Sequence, residues 1–419
     1  MTAPAPDPGV RRTRLLLVAL GLVVVVVATV AVLADDGGGG EEATGSTPSP
    51  TPSTAERTPT TPPPTAPPSA PSTTAAAPAP AACDATAAVA AWPLRRRLAA
   101  LVMVGVDPSG TGEATAVVED HHVGGVFVGG DDTTLLTSGA LATLRDGSPT
   151  GLFVAVDEEG GRVQRIEGID GDVPSAREQA ATTSPDEVRA LAQRRAQVMA
   201  DLGVTMDLAP VVDVSDQDDD TVIGDRSWSD DPAAVVTYAG AYADGLLAEG
   251  VAPVLKHFPG HGQASGDSHE GAVTTPPLAD LRSRDLVPYE QLLPRLGGSA
   301  AVMLGHLDVP GLTEDGTPSS LSPATVALLR QDYGFDGVVM TDDLAGMEAV
   351  TARLGTEEAA VAALAAGVDV VLLAGTDVGS LLDRLEQAVA AGGLDEAAVD
   401  ASVVRTLRLK GLDPCGVAL

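Results

Sequence analysis

The sequence predicts an α/β protein, a closed (β/α)8 barrel of eight parallel strands that are each followed by helix. Eight short apolar runs, rich in valine and with little alternation, are typical of strands buried on both faces. Amphipathic helical segments separate them, without a long helical or all-β block, and this repeat favours a barrel. The predicted strands are Leu101–Val106, Gly125–Val128, Leu152–Val156, Thr205–Val211, Val251–Leu255, Ala301–Leu304, Val338–Met340 and Val368–Leu373.

An open, doubly wound sheet is the alternative fold for such a repeat. A glycine-rich dinucleotide-binding turn would favour it, but Gly124-Gly125 and Gly129-Gly130 flank a strand without forming that fingerprint. The barrel is therefore the preferred prediction.

Three of the helical segments carry start signals. Ser184-Pro185 and Ser322-Pro323 place a capping residue before a proline in the first turn, and Asp230-Asp231-Pro232 repeats the pattern. We expect helices to begin at these positions.

The first 34 residues predict a membrane anchor. Residues 1–14 form a basic tail, and residues 15–34 are an unbroken apolar run. In a helix such a run rises ~30 Å, enough to cross the hydrocarbon layer, and the basic flank favours a cytoplasmic N-terminus with an exported remainder. A cleaved signal peptide is the alternative, since Val32-Leu33-Ala34 resembles a cleavage site, but its apolar region usually spans only ~7–15 residues.

Residues 35–82 predict a disordered stalk. They consist mainly of Pro, Thr, Ser, Ala and Gly with almost no large apolar side chain, so burial cannot offset the entropy of ordering them. Residues 83–419 are long enough for one barrel domain. The formal net charge of the chain is −33, which repels nucleic acid and excludes it as a partner.

The chain has two cysteines, Cys83 and Cys415, which bracket the predicted barrel. In an exported protein a disulfide is expected between them, and a closed barrel brings its first and last elements together. Two free thiols are the alternative.

A histidine-rich segment follows the fifth predicted strand. Three of the six histidines, His257, His261 and His269, lie between residues 257 and 269. Pro259, Gly260 and Gly262 disfavour a helix, so we expect a loop over residues 256–262.

Charged side chains follow five of the predicted strands, at the face where barrel enzymes carry their chemistry. A single one of them could be a helix cap, but five together indicate a catalytic site. These residues are Asp157 to Arg165 after the third strand, Asp213 and Arg226 after the fourth, Lys256 and His257 after the fifth, His306 after the sixth, and Asp342 and Asp343 after the seventh.

The chemistry these residues support is glycoside hydrolysis. Asp342 stands at a strand terminus, where a carboxylate is held rigidly, and Asp267 is placed to orient His269 as an acid or base. A carboxylate nucleophile and a proton-transferring partner are the minimum set for retaining hydrolysis. The groups expected to bind sugar hydroxyls are Asp157, Arg165, Arg226 and Lys256.

Zinc binding is the competing interpretation of His257, His261, Asp267 and His269. The spacing His257-x-x-x-His261 contains Pro-Gly, which destroys the helical geometry that such histidine pairs use. No metal or other cofactor is expected.

At these residues the chain resembles glycoside hydrolase family 3, and within it the NagZ-type β-N-acetylhexosaminidases. The resemblance covers most of residues 83–419 and depends on five motifs in the family's order. They are Asp157-Glu-Glu-Gly-Gly-Arg-Val-Gln-Arg165, Asp207-Leu-Ala-Pro-Val-Val-Asp213, Val222-Ile-Gly-Asp-Arg-Ser-Trp228, Lys256-His-Phe-Pro-Gly-His-Gly262 with Asp267-Ser-His269, and Thr341-Asp-Asp-Leu344.

The resemblance implies a single-domain TIM barrel with a retaining, metal-free mechanism. It implies that Asp342 rather than Asp343 is the nucleophile, that His269 is the acid/base and that Asp267 is its partner. It also implies that the N-acetylglucosamine unit is held by Asp157, Arg165, Arg226, Lys256 and His257.

The implied function is release of terminal β-linked N-acetylglucosamine from cell-wall fragments. A monomer is expected, anchored by a single membrane pass with an extracytoplasmic catalytic domain, or secreted if residues 15–34 are cleaved. Three alternatives remain open: a broader β-glycosidase, an N-acetylglucosaminide phosphorylase, and a wall-binding protein that has lost activity.

Overall fold

The computed structural model of the protein describes residues 83–419. The predicted basic tail, membrane anchor and stalk, residues 1–82, lie outside the described residues, and those predictions stay untested. Within 83–419 every helix is too short or too polar to span a bilayer.

The described chain forms a closed barrel of eight parallel strands. The order around it is β1-β2-β3-β4-β5-β7-β9-β10, and β1 closes the ring by pairing with both β2 and β10. The predicted TIM barrel is thereby confirmed, and the doubly wound alternative is wrong. The strands are β1 Val102–Val106, β2 Gly125–Val128, β3 Phe153–Val156, β4 Met206–Asp207, β5 Ala252–Phe258, β6 Val273–Thr274, β7 Ala301–Leu304, β8 Leu307–Asp308, β9 Val338–Asp343 and β10 Val370–Ala374.

Helices cover the outside of the barrel. All three predicted starts are found: Ser184 caps α8 in a capping box, Asp231 caps α9, and Pro323 opens α12. The helices are α1 Ala85–Ala90, α2 Leu94–Ala99, α3 Gly112–Glu119, α4 Thr134–Thr137, α5 Ala140–Gly147, α6 Glu167–Asp170, α7 Ala176–Thr182, α8 Pro185–Asp201, α9 Pro232–Ala248, α10 Leu278–Leu281, α11 Val287–Leu296, α12 Pro323–Ala327, α13 Glu348–Thr351, α14 Thr356–Ala366, α15 Val378–Ala390 and α16 Glu396–Leu409.

Two apolar layers hold the fold together. Alternate strand residues, among them Met103, Phe153, Met206 and Val254, fill the barrel interior. The other strand faces pack against the surrounding helices in one continuous core. Because both faces are buried, the strand segments have the near-continuous apolar character that predicted them.

The ends of three strands differ from the prediction by three or more residues, and one of them is β9, which runs on through Asp342 to Asp343. β4 is limited to Met206–Asp207, since Pro210 has no N–H to continue a ladder. β5 runs on to Phe258, so Lys256 and His257 lie in the strand and not in the predicted loop. Phe258 pairs with Leu304 across a register shift, and Pro259 then ends the strand.

The two cysteines form the predicted disulfide, and the free-thiol alternative is wrong. Cys83 and Cys415 are bonded with their Cα atoms 6.3 Å apart, across 332 residues of sequence. α1 packs against α16, which brings the two ends of the described chain together.

Candidate active site

A cavity of about 320 Å³ opens at the carboxyl ends of the barrel strands. Leu208, Met303 and Leu372 belong to the interior layer and also line this cavity. Seven of the eight predicted catalytic and sugar-binding residues line it: Asp157, Arg165, Arg226, Lys256, His257, His269 and Asp342. The eighth, Asp267, supports His269. The structure therefore brings together groups that are up to 185 positions apart in sequence, from Asp157 to Asp342.

The environment of the two adjacent carboxylates distinguishes Asp342 from Asp343. The Asp343 carboxylate accepts hydrogen bonds from the backbone N–H groups of Ala345 (2.9 Å), Gly346 (3.1 Å) and Ala374 (2.9 Å), so it organises the loop after β9. The Asp342 carboxylate accepts only the N–H of Asp343, at 2.9 Å, from the described chain. Asp342 is thus the carboxylate left available for chemistry.

The pKa of Asp342 is lowered. Burial raises it, but His257, His306, Lys256 and the Asp343 N–H together outweigh burial. Asp342 is therefore ionised at neutral pH, as a nucleophile must be.

The dyad loop, residues 264–274, carries the predicted acid/base pair, His269 and Asp267. His269 Nδ1 lies 2.8 Å from Asp267 Oδ1, which also accepts the His269 backbone N–H at 2.9 Å. Burial raises the pKa of Asp267, but the hydrogen bonds from His269 lower it on balance, so the carboxylate is charged. An ionised carboxylate can only accept, so Nδ1 carries the proton and Nε2 is free to give or take one.

One wall of the cavity is formed by four charged residues, here called the charged cage: Asp157, Glu159, Arg226 and Lys256. Lys256 Nζ lies 2.9 Å from Asp157 Oδ1 and 2.6 Å from Glu159 Oε1. Arg226 donates two hydrogen bonds to the Glu159 carboxylate, from Nε to Oε2 at 2.7 Å and from Nη2 to Oε1 at 2.8 Å. Such a pre-formed fork holds donors in fixed directions.

Mutual pairing keeps the cage charged despite burial. Burial raises the pKa of Glu159, but Arg226 and Lys256 lower it well below its usual range. Burial lowers the pKa of Lys256, but Asp157 and Glu159 raise it overall. The cage therefore presents ammonium, guanidinium and carboxylate groups to a ligand.

Arg165 lies beside the cage with spare hydrogen-bonding capacity. Its Nη2 is 3.7 Å from Asp157 Oδ2, and its Nη1 donates to the Gln164 carbonyl. Its Nε is buried without a hydrogen-bond partner among residues 83–419. Nη2 makes no hydrogen bond within residues 83–419 and remains available to a ligand oxygen at the cavity wall.

His257 is oriented by a buried carboxylate. Asp213 Oδ2 accepts from His257 Nδ1 at 2.7 Å, and Asp213 Oδ1 accepts the His261 backbone N–H at 2.7 Å. Burial raises the pKa of Asp213, but His257 and His261 lower it on balance. His257 therefore keeps Nε2 for the cavity.

These observations agree with comparisons to known proteins. The domain described as "Glycosyl hydrolase family 3 N terminal domain" matches residues 93–409. The chain belongs to glycoside hydrolase family 3. It is accordingly an enzyme that acts on a carbohydrate substrate, and the predicted family is confirmed.

Among relatives of this family 3 hydrolase, Beta-hexosaminidase LpqI of Mycobacterium tuberculosis is 52% identical over 351 residues, 81% of this chain and 89% of LpqI. A Mycobacterium smegmatis family 3 structure aligns with a TM-score of 0.74 at 52% identity, covering 78% of this chain and 98% of the other. A Paenibacillus family 3 beta-N-acetylglucosaminidase aligns with a TM-score of 0.71 at 30% identity, covering 77% and 62% of the two chains.

Sequence reasoning gave no role to two functional residues of this family 3 enzyme, Glu159 and Asp213. Asp157 and Glu159 are two apart in the chain after β3 and both face the cavity, whereas Glu158 between them is buried against Arg195. This alternation of cavity-facing and buried carboxylates could have pointed to Glu159 from the sequence. Asp213 offered less, because only the fold brings it to His257 and His261.

His306, which follows β7, supports the loop after β9. Its Nε2 donates to the Asp343 carbonyl at 3.0 Å, and its Nδ1 accepts from Ser320 Oγ at 2.7 Å. Burial lowers its pKa, so the ring is neutral.

The four residues considered for zinc do not form one cluster. His269 pairs with Asp267, and His257 pairs instead with Asp213. His261 Nδ1 is buried without a hydrogen-bond partner among residues 83–419. Across residues 83–419, His, Cys, Asp and Glu side chains form no group of three or more that could hold a metal ion.

Proposed function

We propose that this family 3 enzyme is a retaining exo-β-N-acetylglucosaminidase that removes terminal N-acetylglucosamine from cell-wall fragments through a glycosyl-Asp342 intermediate. One observation carries the proposal: an ionised, largely unbonded Asp342 carboxylate lines the same cavity as His269, which Asp267 orients. A nucleophile and a single proton-transferring group are what retaining hydrolysis requires.

In the first step, Asp342 attacks the anomeric carbon while His269 gives its Nε2 proton to the departing oxygen. The glycosidic C–O bond breaks and a C–O bond to Asp342 forms. In the second step, neutral His269 takes a proton from water, which attacks the same carbon and frees Asp342. A histidine suits both steps because, once deprotonated, it adds no negative charge beside the carboxylate.

The cavity supports a short, polar ligand. Its volume of about 320 Å³ lies at the low end of small-molecule sites, and the barrel interior closes it below. Phe127 is the single Phe, Tyr or Trp among the described residues that line it. With few rings to stack on sugars, the charged cage and Arg165 would hold the terminal unit by its hydroxyl and acetamido groups.

The natural substrate and the location are part of the proposal. The disulfide is of the kind that persists in oxidising compartments. Together with the apolar run at residues 15–34, it supports an extracytoplasmic enzyme tethered to the membrane. Peptidoglycan fragments with terminal N-acetylglucosamine would be its substrate there.

The test compares aryl β-N-acetylglucosaminide with aryl β-glucoside, followed by product analysis on peptidoglycan fragments with and without phosphate. We expect at least a hundredfold preference for the acetamido sugar and release of free N-acetylglucosamine in both buffers. A sugar 1-phosphate that forms only with phosphate would identify a phosphorylase. Equal rates on both aryl glycosides would identify a broader β-glycosidase, and no turnover on any glycoside would identify a binding protein.

A further inference from the structure

Ser268 is buried between two exposed catalytic residues. The side chains of His269 and Asp267 are 61% and 34% exposed, whereas Ser268 as a whole is only 4% exposed. Residues 267–270 form a turn in which the Glu270 N–H donates to the Asp267 carbonyl at 3.0 Å. Ser268 lines the cavity together with His269, but it is packed against the protein, whereas the side chains of the acid/base pair are exposed.

The buried side of Ser268 contacts the segment that follows the nucleophile. Ser268 Oγ donates to Met347 Sδ at 3.6 Å, and the Ala349 N–H donates to the Ser268 carbonyl at 3.1 Å. Met347 is 6% exposed and itself lines the cavity. Met347 comes immediately after the turn at Ala345 and Gly346, whose N–H groups donate to the Asp343 carboxylate. That turn follows Asp342 in the chain.

The base of the dyad loop is fixed at a different place. The Ser265 N–H donates to the Thr274 carbonyl at 2.9 Å, and β6 pairs with β8, which follows β7. The loop therefore leaves β5 and is held at its base beside the segment after β7. Among residues 83–419, its hydrogen bonds to the segment after β9 are the two made by Ser268. These two hydrogen bonds link the loop that carries His269 to the segment that follows Asp342.

We propose that Ser268 and Met347, here called the latch, are positioning residues that hold His269 at the distance needed to protonate the leaving oxygen. The inference rests on the proposed function and names residues to which no role has been given. If the latch opens, the loop remains attached at its base, but His269 moves relative to the anomeric carbon. Misplacement of a reacting group by about 1 Å can cost up to about a hundredfold in rate.

The test uses two substrates whose leaving groups differ in their need for a proton. A 2,4-dinitrophenyl β-N-acetylglucosaminide has a leaving group that departs unprotonated, whereas methyl β-N-acetylglucosaminide needs His269. For Ser268→Ala and Met347→Leu we expect kcat/KM on the methyl glycoside to fall about tenfold, with less than a twofold change on the activated one. Ser283→Ala, an exposed serine that bonds only within its own turn, is the matched control and should change neither.

Hydrogen exchange supplies a readout that needs no turnover. In both latch variants the Ala349 amide should exchange about tenfold faster, while the Ala345 amide, bonded to Asp343, stays protected. Equal losses on the two glycosides, or unchanged Ala349 exchange, would overturn the latch and leave the proposed function standing. If the wild-type enzyme cleaves neither glycoside, the proposed function fails, and the Ala349 exchange still decides whether the contact holds the loop.

Discussion

The charged cage and the dyad loop line the same cavity but differ in how far their side chains are buried and paired. The Lys256 and Glu159 side chains are each 3% exposed and are locked by mutual ion pairs, whereas the His269 side chain is 61% exposed and has one side-chain partner. The cage is built from the ends of β3 and β5 and the turn after β4, so barrel packing fixes it. Under the proposed function, the groups that bind the sugar are therefore pre-formed and buried, whereas the group that transfers the proton lies on an exposed loop.

We expect the largest effect from substitution of Asp342, the proposed nucleophile. Asp342→Asn should lower kcat by about 10⁴-fold or more while inhibitor binding stays within a few-fold, because the amide cannot attack yet leaves the cage intact. Asp343→Asn is the matched neighbour. It should lower the free energy of unfolding by about 1–3 kcal/mol through its loop hydrogen bonds, with a smaller loss of turnover. Equal kcat losses in the two variants would reverse the assignment.

His269→Ala probes the exposed side alone. We expect kcat/KM on alkyl glycosides to fall about 10²–10⁴-fold, with a small loss on dinitrophenyl glycosides and an unchanged melting temperature. Asp267→Asn should follow the same pattern more weakly, because it removes the charge that orients the imidazole. A uniform loss on all leaving groups would mean that His269 binds sugar and belongs functionally with the cage.

Glu159→Gln probes the buried side. The change removes the charge that two buried cations share, and breaking such a pair costs about 3–5 kcal/mol of folding stability. KM should also rise as Arg226 and Lys256 lose their orientation. Glu187→Gln, in the exposed capping box of α8, is the control and should cost about 1 kcal/mol or less. Urea denaturation and substrate titration check both expectations.

The disulfide lies outside both regions and should affect only stability. Cys83→Ser with Cys415→Ser should reduce the free energy of unfolding by about 2–5 kcal/mol, because the 332-residue separation makes a large loop in the unfolded chain. Reductant should reproduce the shift in the wild type and leave the double variant unchanged. A changed kcat/KM in the folded double variant would contradict the expectation that the disulfide affects stability and not activity.

The smallest effect concerns a buried carboxylic acid, Asp285, which packs against the segment after β5. Asp285 contacts Gly260, whose φ is +135° and where a Cβ would lie 2.4 Å from the Asp285 Cβ. Burial and the nearby Asp213 raise the pKa of Asp285 to about 7. Since the folded form binds this proton more tightly than the unfolded chain, this contribution to stability should be fully present below about pH 3.8 and be lost as pH rises to about 7, by up to about 2–4 kcal/mol.

Asp285→Asn should remove most of that slope, measured as the urea midpoint between pH 4 and 8. A slope that persists unchanged in the variant would assign the pH dependence to other groups.

The sequence predicted the barrel because its eight strands are buried on both faces, which leaves a repeating apolar signature. It predicted the cavity residues because the carboxyl ends of parallel strands meet at one mouth. Glu159 and Asp213 were given no role because the partners of a buried carboxylate are set by tertiary contacts. The sequence did not predict β6, β8 or the Ser268 contact, because two-residue strands and individual loop contacts leave no periodic pattern.

The central claim is that Asp342 and His269 act on one anomeric carbon. The most direct measurement is mass spectrometry of the His269→Ala variant mixed with a dinitrophenyl β-N-acetylglucosaminide, where attack proceeds and hydrolysis stalls. The account predicts one sugar attached to the peptide that contains Asp342, with fragment ions that exclude Asp343. A sugar on any other residue, or no accumulated intermediate together with an anomerically inverted product, would contradict it.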